Sequence, residues 1–212
     1  MRRMRRLALL TAATVFFAGA PEALAQRRFQ VGLKTGPSFT DIAQDEDDDS
    51  GTYQRRIAAA GGGFLRLALA GPVGLQVEAL STPKGSRRED PDGFSQTLML
   101  RYFEVPVLLR VDDAGAEPGG WFVFGGAYFA VRTSAKVQVS TVENSIAGGT
   151  RVDASDSIER FDNGWVAGAG YDIGRFLVVE GRYARGLTNV NRVPDSVGFS
   201  NRALTFMVGV RY

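Results

Sequence analysis

The sequence has no cysteine and no histidine, and lysine occurs only at Lys34, Lys84 and Lys136. Without cysteine there is no disulfide scaffold and no thiolate metal site. Without histidine, Ser-His-Asp and Cys-His catalysis and imidazole general bases are excluded. An apolar run of about 20 residues, long enough for a spanning helix, is also missing. Hydrophobic residues make up 44% of the 212 and the mean hydropathy is −0.08, so a bundle of membrane helices is excluded. The length suits one domain.

Basic residues number 25 against 23 acidic ones, and the pI is near 9.1. Much of that basicity lies at the N-terminus. Arg2, Arg3, Arg5 and Arg6 precede the uncharged stretch Leu7 to Ala20, and Ala23-Leu24-Ala25 supplies small residues at −3 and −1. This is the pattern of a secretory signal peptide over residues 1–25. Its removal takes four of the 25 basic and one of the 23 acidic residues, leaving a net charge of −1 on residues 26–212. The case for a nucleic-acid partner therefore falls away.

Beyond residue 26 the sequence alternates at period two, and no window keeps a helical period for three turns. Eight strands are expected, at about 28–40, 57–70, 73–83, 97–111, 121–134, 161–172, 175–187 and 202–212. They are long, near the roughly 9–11 residues of a tilted membrane strand rather than the 5–6 of a soluble one. Gly71-Pro72, residues 112–120 and Ile173-Gly174 make three short connections, and 41–56, 84–96, 135–160 and 188–201 make four long ones. Antiparallel strands place all the short turns at one end and all the long loops at the other, as in an outer-membrane barrel. The expected fold is an all-β, eight-stranded antiparallel up-and-down transmembrane barrel over residues 26–212.

One face of each strand is apolar. Leu75 and Val77 oppose Gln76 and Glu78; Phe103, Val105, Val107 and Leu109 oppose Glu104 and Arg110; Val179 and Tyr183 oppose Glu180 and Arg182. Strand length, charges of both signs and glycines on the polar side favour lipid outside and a narrow polar interior. A soluble lipocalin-like barrel would reverse the faces. The interior set is Arg66, Gln76, Glu78, Glu104, Arg110, Glu180 and Arg182, read as a structural network in which glutamates pair with arginines. Phe206, Val208, Val210 and Tyr212 end the last strand on an aromatic residue and are read as the C-terminal insertion signal. Trp121, Trp165, Phe122, Phe124, Tyr128 and Phe129 are assigned to lipid-facing bands and girdles. The acidic run at 45–49 lacks the Gly and Glu spacing of an EF-hand and reads as a solvated loop. Gly168-Ala169-Gly170 precedes another strand, so it is not a dinucleotide loop.

Several segments together resemble the PorT-like outer-membrane beta-barrel family. They are GLKTGPSF (32–39), LQVEALSTPKG (75–85), LRYFEVPVLLRV (100–111), VAGAGYDIGRFLVVEGRYARGLTNV (166–190) and the terminal FMVGVRY. The match runs over nearly all of residues 26–212; Ala79 between Glu78 and Leu80 departs from the pattern. The resemblance implies an eight-stranded barrel in the outer membrane of a Gram-negative bacterium, with no catalytic site, cofactor or metal. The expected partners are outer-membrane lipid and lipopolysaccharide, the barrel assembly machinery during insertion, and an unidentified protein reached through the loops. The expected role is non-enzymatic, in envelope structure, adhesion or a membrane complex. A small-solute pore, a soluble ligand-binding barrel and a lipid-modifying enzyme stand as alternatives.

Overall fold

A computed structural model describes residues 29–44, 52–89, 95–113, 119–140, 150–153, 158–189 and 199–212. The expected signal segment, residues 1–25, and the acidic run at 45–49 lie outside them. Eight long strands among the described residues carry the wall: β1 (Phe29–Gln44), β3 (Arg56–Ala70), β4 (Val73–Lys84), β6 (Ser95–Asp112), β7 (Gly120–Ser140), β9 (Phe161–Ile173), β10 (Leu177–Gly186) and β11 (Phe199–Arg211). Three short strands, β2 (Thr52–Gln54), β5 (Arg87–Glu89) and β8 (Thr150–Asp153), extend the sheet at one end only.

Each long strand pairs antiparallel with its neighbour in sequence, and β1 pairs with β11, from Gly32↔Arg211 to Gln44↔Phe199. The sheet is therefore closed, and every long strand has a partner on both sides. Closure matters because hydrocarbon offers nothing to bond an open edge. Gly71 (φ 54°) and Gly174 (φ 60°) take the left-handed backbone that the tight β3–β4 and β9–β10 turns require. The first and last described residues, Phe29 and Tyr212, lie at this short-turn end, where Val31 and Tyr212 exchange backbone hydrogen bonds of 3.0 and 2.8 Å.

Side-chain direction follows the period of two. On β6, Phe103, Val107, Leu109 and Val111 are exposed, whereas Tyr102, Glu104, Leu108 and Arg110 are buried. The outward row from Phe103 to Val111 runs about 27 Å along the strand, or roughly 20 Å in height at a barrel tilt near 40°. That approaches the apolar band of about 25 Å on a membrane barrel. The apolar face is the outer one, opposite to a lipocalin.

The inner face is crowded. Phe64, Leu108, Phe122, Phe124, Val166 and Val178 form one apolar cluster inside the bore. Strand curvature in so narrow a barrel brings inward Cβ positions against the next strand's backbone. A Cβ at Gly36 would stand 1.9 Å from the Phe206 carbonyl oxygen, and one at Gly126 would stand 2.0 Å from that of Val107. Only glycine fits there.

Pro106 interrupts the ladder at mid-strand: β4 and β6 pair at Val77↔Val107 and resume at Leu80↔Glu104. Two assignments are corrected. Phe122, Phe124 and Tyr128 are inside the bore at 5% exposure or less, while Trp121 (67%) and Phe129 (63%) face out. Parity governs these positions: the even residues of β7 from Phe122 to Ala130 point inward whatever their aromatic character, and the register shift opposite Arg101 and Tyr102 reverses the parity further on, where Ala135 is buried and Lys136 exposed. β7 also continues to Ser140, beyond the expected end near residue 134.

Candidate functional site

The polar parity of the strands brings charged residues from distant parts of the chain into the bore, at three heights. In the middle layer, Lys34 of β1 lies between two carboxylates, 2.6 Å from Glu78 of β4 and 2.8 Å from Glu180 of β10. Arg182 of β10 donates through both terminal nitrogens to Glu78, at 2.7 and 3.0 Å, and reaches Glu180 at 2.5 Å. Gln76 donates to Glu78 at 2.5 Å. Two cations and two anions leave this layer neutral, and all four are buried. The rings of Phe64 and Phe124 cover Lys34 and Arg182 at 5.4 and 5.2 Å.

Toward the short-turn end lies an arginine-rich layer. Arg110 of β6 bonds Asp112 at 2.7 Å and Asp172 of β9 at 2.5 Å, and stacks on Phe122 at 3.5 Å. Arg66 of β3 pairs with Asp112, and Arg211 of β11 reaches Asp172 at 2.5 Å. Toward the loop end, Lys84 of β4 bonds Asp162 of β9 at 2.9 Å and Glu104 of β6 at 3.2 Å. Asn201 of β11 donates to Asp162 at 3.0 Å, and the rings of Tyr128 and Tyr102 cover Lys84 at 4.2 and 5.0 Å.

All seven interior residues singled out from sequence sit in these layers, but they do not pair simply as glutamates against arginines. Glu78, Glu180, Arg182 and Gln76 come together. Glu104 is partnered by Lys84, while Arg66 and Arg110 find Asp112 and Asp172. Lys34, Lys84, Asp112, Asp162, Asp172, Asn201 and Arg211 were not singled out. Parity carries the signal for most of them: Lys34 alternates with Gly32 and Gly36, and Lys84 with Gln76 and Glu78. Asp162 and Asp172 end the small-residue row Gly164 to Gly170. Among the described residues no three His, Cys, Asp or Glu side chains converge as a metal site requires.

The layers join β1, β3, β4, β6, β9, β10 and β11 across the bore. A lone buried charge is costly, so each layer holds its strands in the one register that pairs its charges.

A closed barrel with an apolar outer wall and polar residues turned inward is the design of a membrane-spanning outer-membrane barrel. Residues 18–192 match the family described as outer membrane protein beta-barrel domain; the chain belongs to that family, and the outer membrane is its location. No curated protein matches it in sequence. Among solved structures it is similar to Ail, the attachment invasion locus protein of Yersinia pestis, solved with the heparin analogue sucrose octasulfate. That likeness has 13% identity, covers 87% of this chain and 99% of that one, and has a TM-score of 0.45. Neisserial surface protein A is similar at 12% identity, over 87% of this chain and 97% of that one, with a TM-score of 0.48. OprG of Pseudomonas aeruginosa is similar at 10% identity, over 87% and 96%, with a TM-score of 0.47.

Proposed function

We propose that the protein is a non-enzymatic barrel with a plugged lumen that works through its loop end, in envelope structure, adhesion or a membrane complex. The observation that carries this reading is the middle layer. Lys34, Glu78, Glu180 and Arg182 close the bore with ion pairs of 2.5–3.0 Å, between apolar side chains above and below. Every carboxylate of that layer is held by cations, which leaves none poised as a general base. The seven residues inferred from sequence act, in this reading, as part of a structural network that fixes strand register.

The finer likeness to PorT-like members rests on the sequence motifs. Residues 1–25 act as the export signal, and Phe206, Val208, Val210 and Tyr212 as the segment read by the barrel assembly machinery. Outer-membrane lipid and lipopolysaccharide surround the wall, and a protein partner is met through the loops. Planar-bilayer recording of the purified protein tests the plug. No steady channel is expected; steady single-channel currents would establish a small-solute pore instead.

A further inference from the structure

The outward row of β10 runs Leu177, Val179, Gly181, Tyr183 and then Arg185; that of β11 runs Val210, Val208, Phe206, Leu204 and then Arg202. The two arginines are thus the first charges above the apolar band on neighbouring strands. They are also direct cross-strand partners. Like charges placed opposite one another destabilise a sheet. Asp41 answers Arg202 at 3.3 Å, but Arg185 has no ion-pair or side-chain hydrogen-bond partner among the described residues. Beside Arg185 opens a cleft of about 340 Å³ whose lining includes Trp165, Leu187, Thr188, Asn189 and Ser200. Trp165 stacks near Tyr183 at 5.5 Å, an aromatic pair at the same height. Tyr183, Leu204 and Phe206 continue the wall below.

We propose that Arg185 and Arg202 bind the phosphate of an anionic glycolipid of the outer leaflet, with its acyl chains lying down the wall over Leu204 and Phe206. The inference rests on the outer-membrane reading and deepens its lipid contact into a site. Charge complementarity selects the occupant: two arginines at directly paired strand positions, with Asp41 answering Arg202 alone, leave room for one more anion beside Arg185, and guanidinium takes phosphate through two parallel bonds. Their place directly above apolar side chains selects an anion that carries hydrocarbon over a free one.

The test uses the full chain folded in phosphatidylcholine vesicles. The sequence has two tryptophans, so W121F leaves Trp165 as the only tryptophan, excited apart from the six tyrosines at the red edge of the absorption band. Phosphorylated lipid A should produce a saturable change in Trp165 emission, and dephosphorylated lipid A should not. The R185Q/R202Q pair should weaken binding about tenfold or more, as expected for loss of charge-assisted bonds. R185K should fall between, having lost the two-bond geometry. R101Q should bind like the parent, because Arg101 lies on β6 across the barrel and already donates to Ser81 at 3.0 Å. Equal response to the dephosphorylated lipid, or an unchanged response in R185Q/R202Q, would overturn the site. A full response to inorganic phosphate alone would overturn the lipid assignment in favour of a soluble anion. Carbonate extraction of each variant separates the two levels. Failure of the lipid arms in a carbonate-resistant protein overturns this inference alone, and release of the parent protein by carbonate overturns the barrel reading with it.

Discussion

Lys34, Gln76 and Arg182 all donate to the Glu78 carboxylate, so the middle of the bore converges on one side chain. Glu78→Gln keeps the shape and removes the charge, leaving two buried cations to share Glu180. The expected loss is about 3–5 kcal/mol, read from urea unfolding of the folded barrel in micelles. A double-mutant cycle with Arg182→Gln should show strong non-additivity. Additive losses would mean that the two groups do not feel each other. A second residue-level expectation concerns glycine. Gly126→Ala would drive a Cβ to 2.0 Å from the Val107 carbonyl oxygen, whereas at Gly63, which faces out, the nearest atom is 3.5 Å away. The first should cost about 1–3 kcal/mol through forced backbone shift and the second far less. Equal effects of the two substitutions would show that the inner backbone has slack.

Hydrogen-bond phase decides what happens at Pro37 of β1. Val31 exchanges both bonds with Tyr212, so the odd residues of β1 turn their amides toward β11. Pro37 lacks an N–H, and the pairing of β1 with β11 breaks between Thr35↔Val208 and Ser38↔Thr205. Pro37→Ala restores a donor on the closing seam and should raise stability by about 1 kcal/mol. Slower amide exchange along β1 and β11 would report it; unchanged or faster exchange would refute the seam argument. On the outer wall, Val107→Arg near the middle of β6 should cost about 2–4 kcal/mol in a bilayer, and Leu187→Arg at the loop end about 0–1. Similar costs at both sites would place the membrane elsewhere.

The long strands were legible because alternation is a local property, carried by each strand's own residues. The short strands β2, β5 and β8 were not, since three or four residues hold too little alternation to register. At Phe122, Phe124 and Tyr128 residue type and parity disagree: aromatic character suggests the lipid-facing band, and the period of two turns all three into the bore.

At the scale of the whole molecule, the charged layers show what a sequence alone withholds. Lys34 and Glu180 are 146 positions apart yet 2.8 Å from one another. Parity says that both point inward, but only the stagger of eight strands decides which charges share a height. That is why the interior residues were legible as a set while Lys84 and Asp112 were missed as partners. The closing strand adds an assembly test. Tyr212→Ser should cost the folded barrel little beyond that side chain's own lipid contact, because Tyr212 is exposed at 87%, and should lower its yield in the outer membrane if the terminal segment is an insertion signal. An unchanged yield would remove that role.

The central claim is a lipid-facing wall around a filled, charged bore. The absence of native cysteine permits its most direct measurement, a scan of single spin-labelled cysteines along β6 from residue 102 to 111 in bilayers. Labels at 103, 105, 107, 109 and 111 should collide with oxygen dissolved in lipid, and those at 102, 104, 108 and 110 should be shielded from both oxygen and a water-soluble nickel reagent. Nickel access at the even positions would reveal a water-filled pore, and loss of oxygen access at the odd ones would contradict the wall itself.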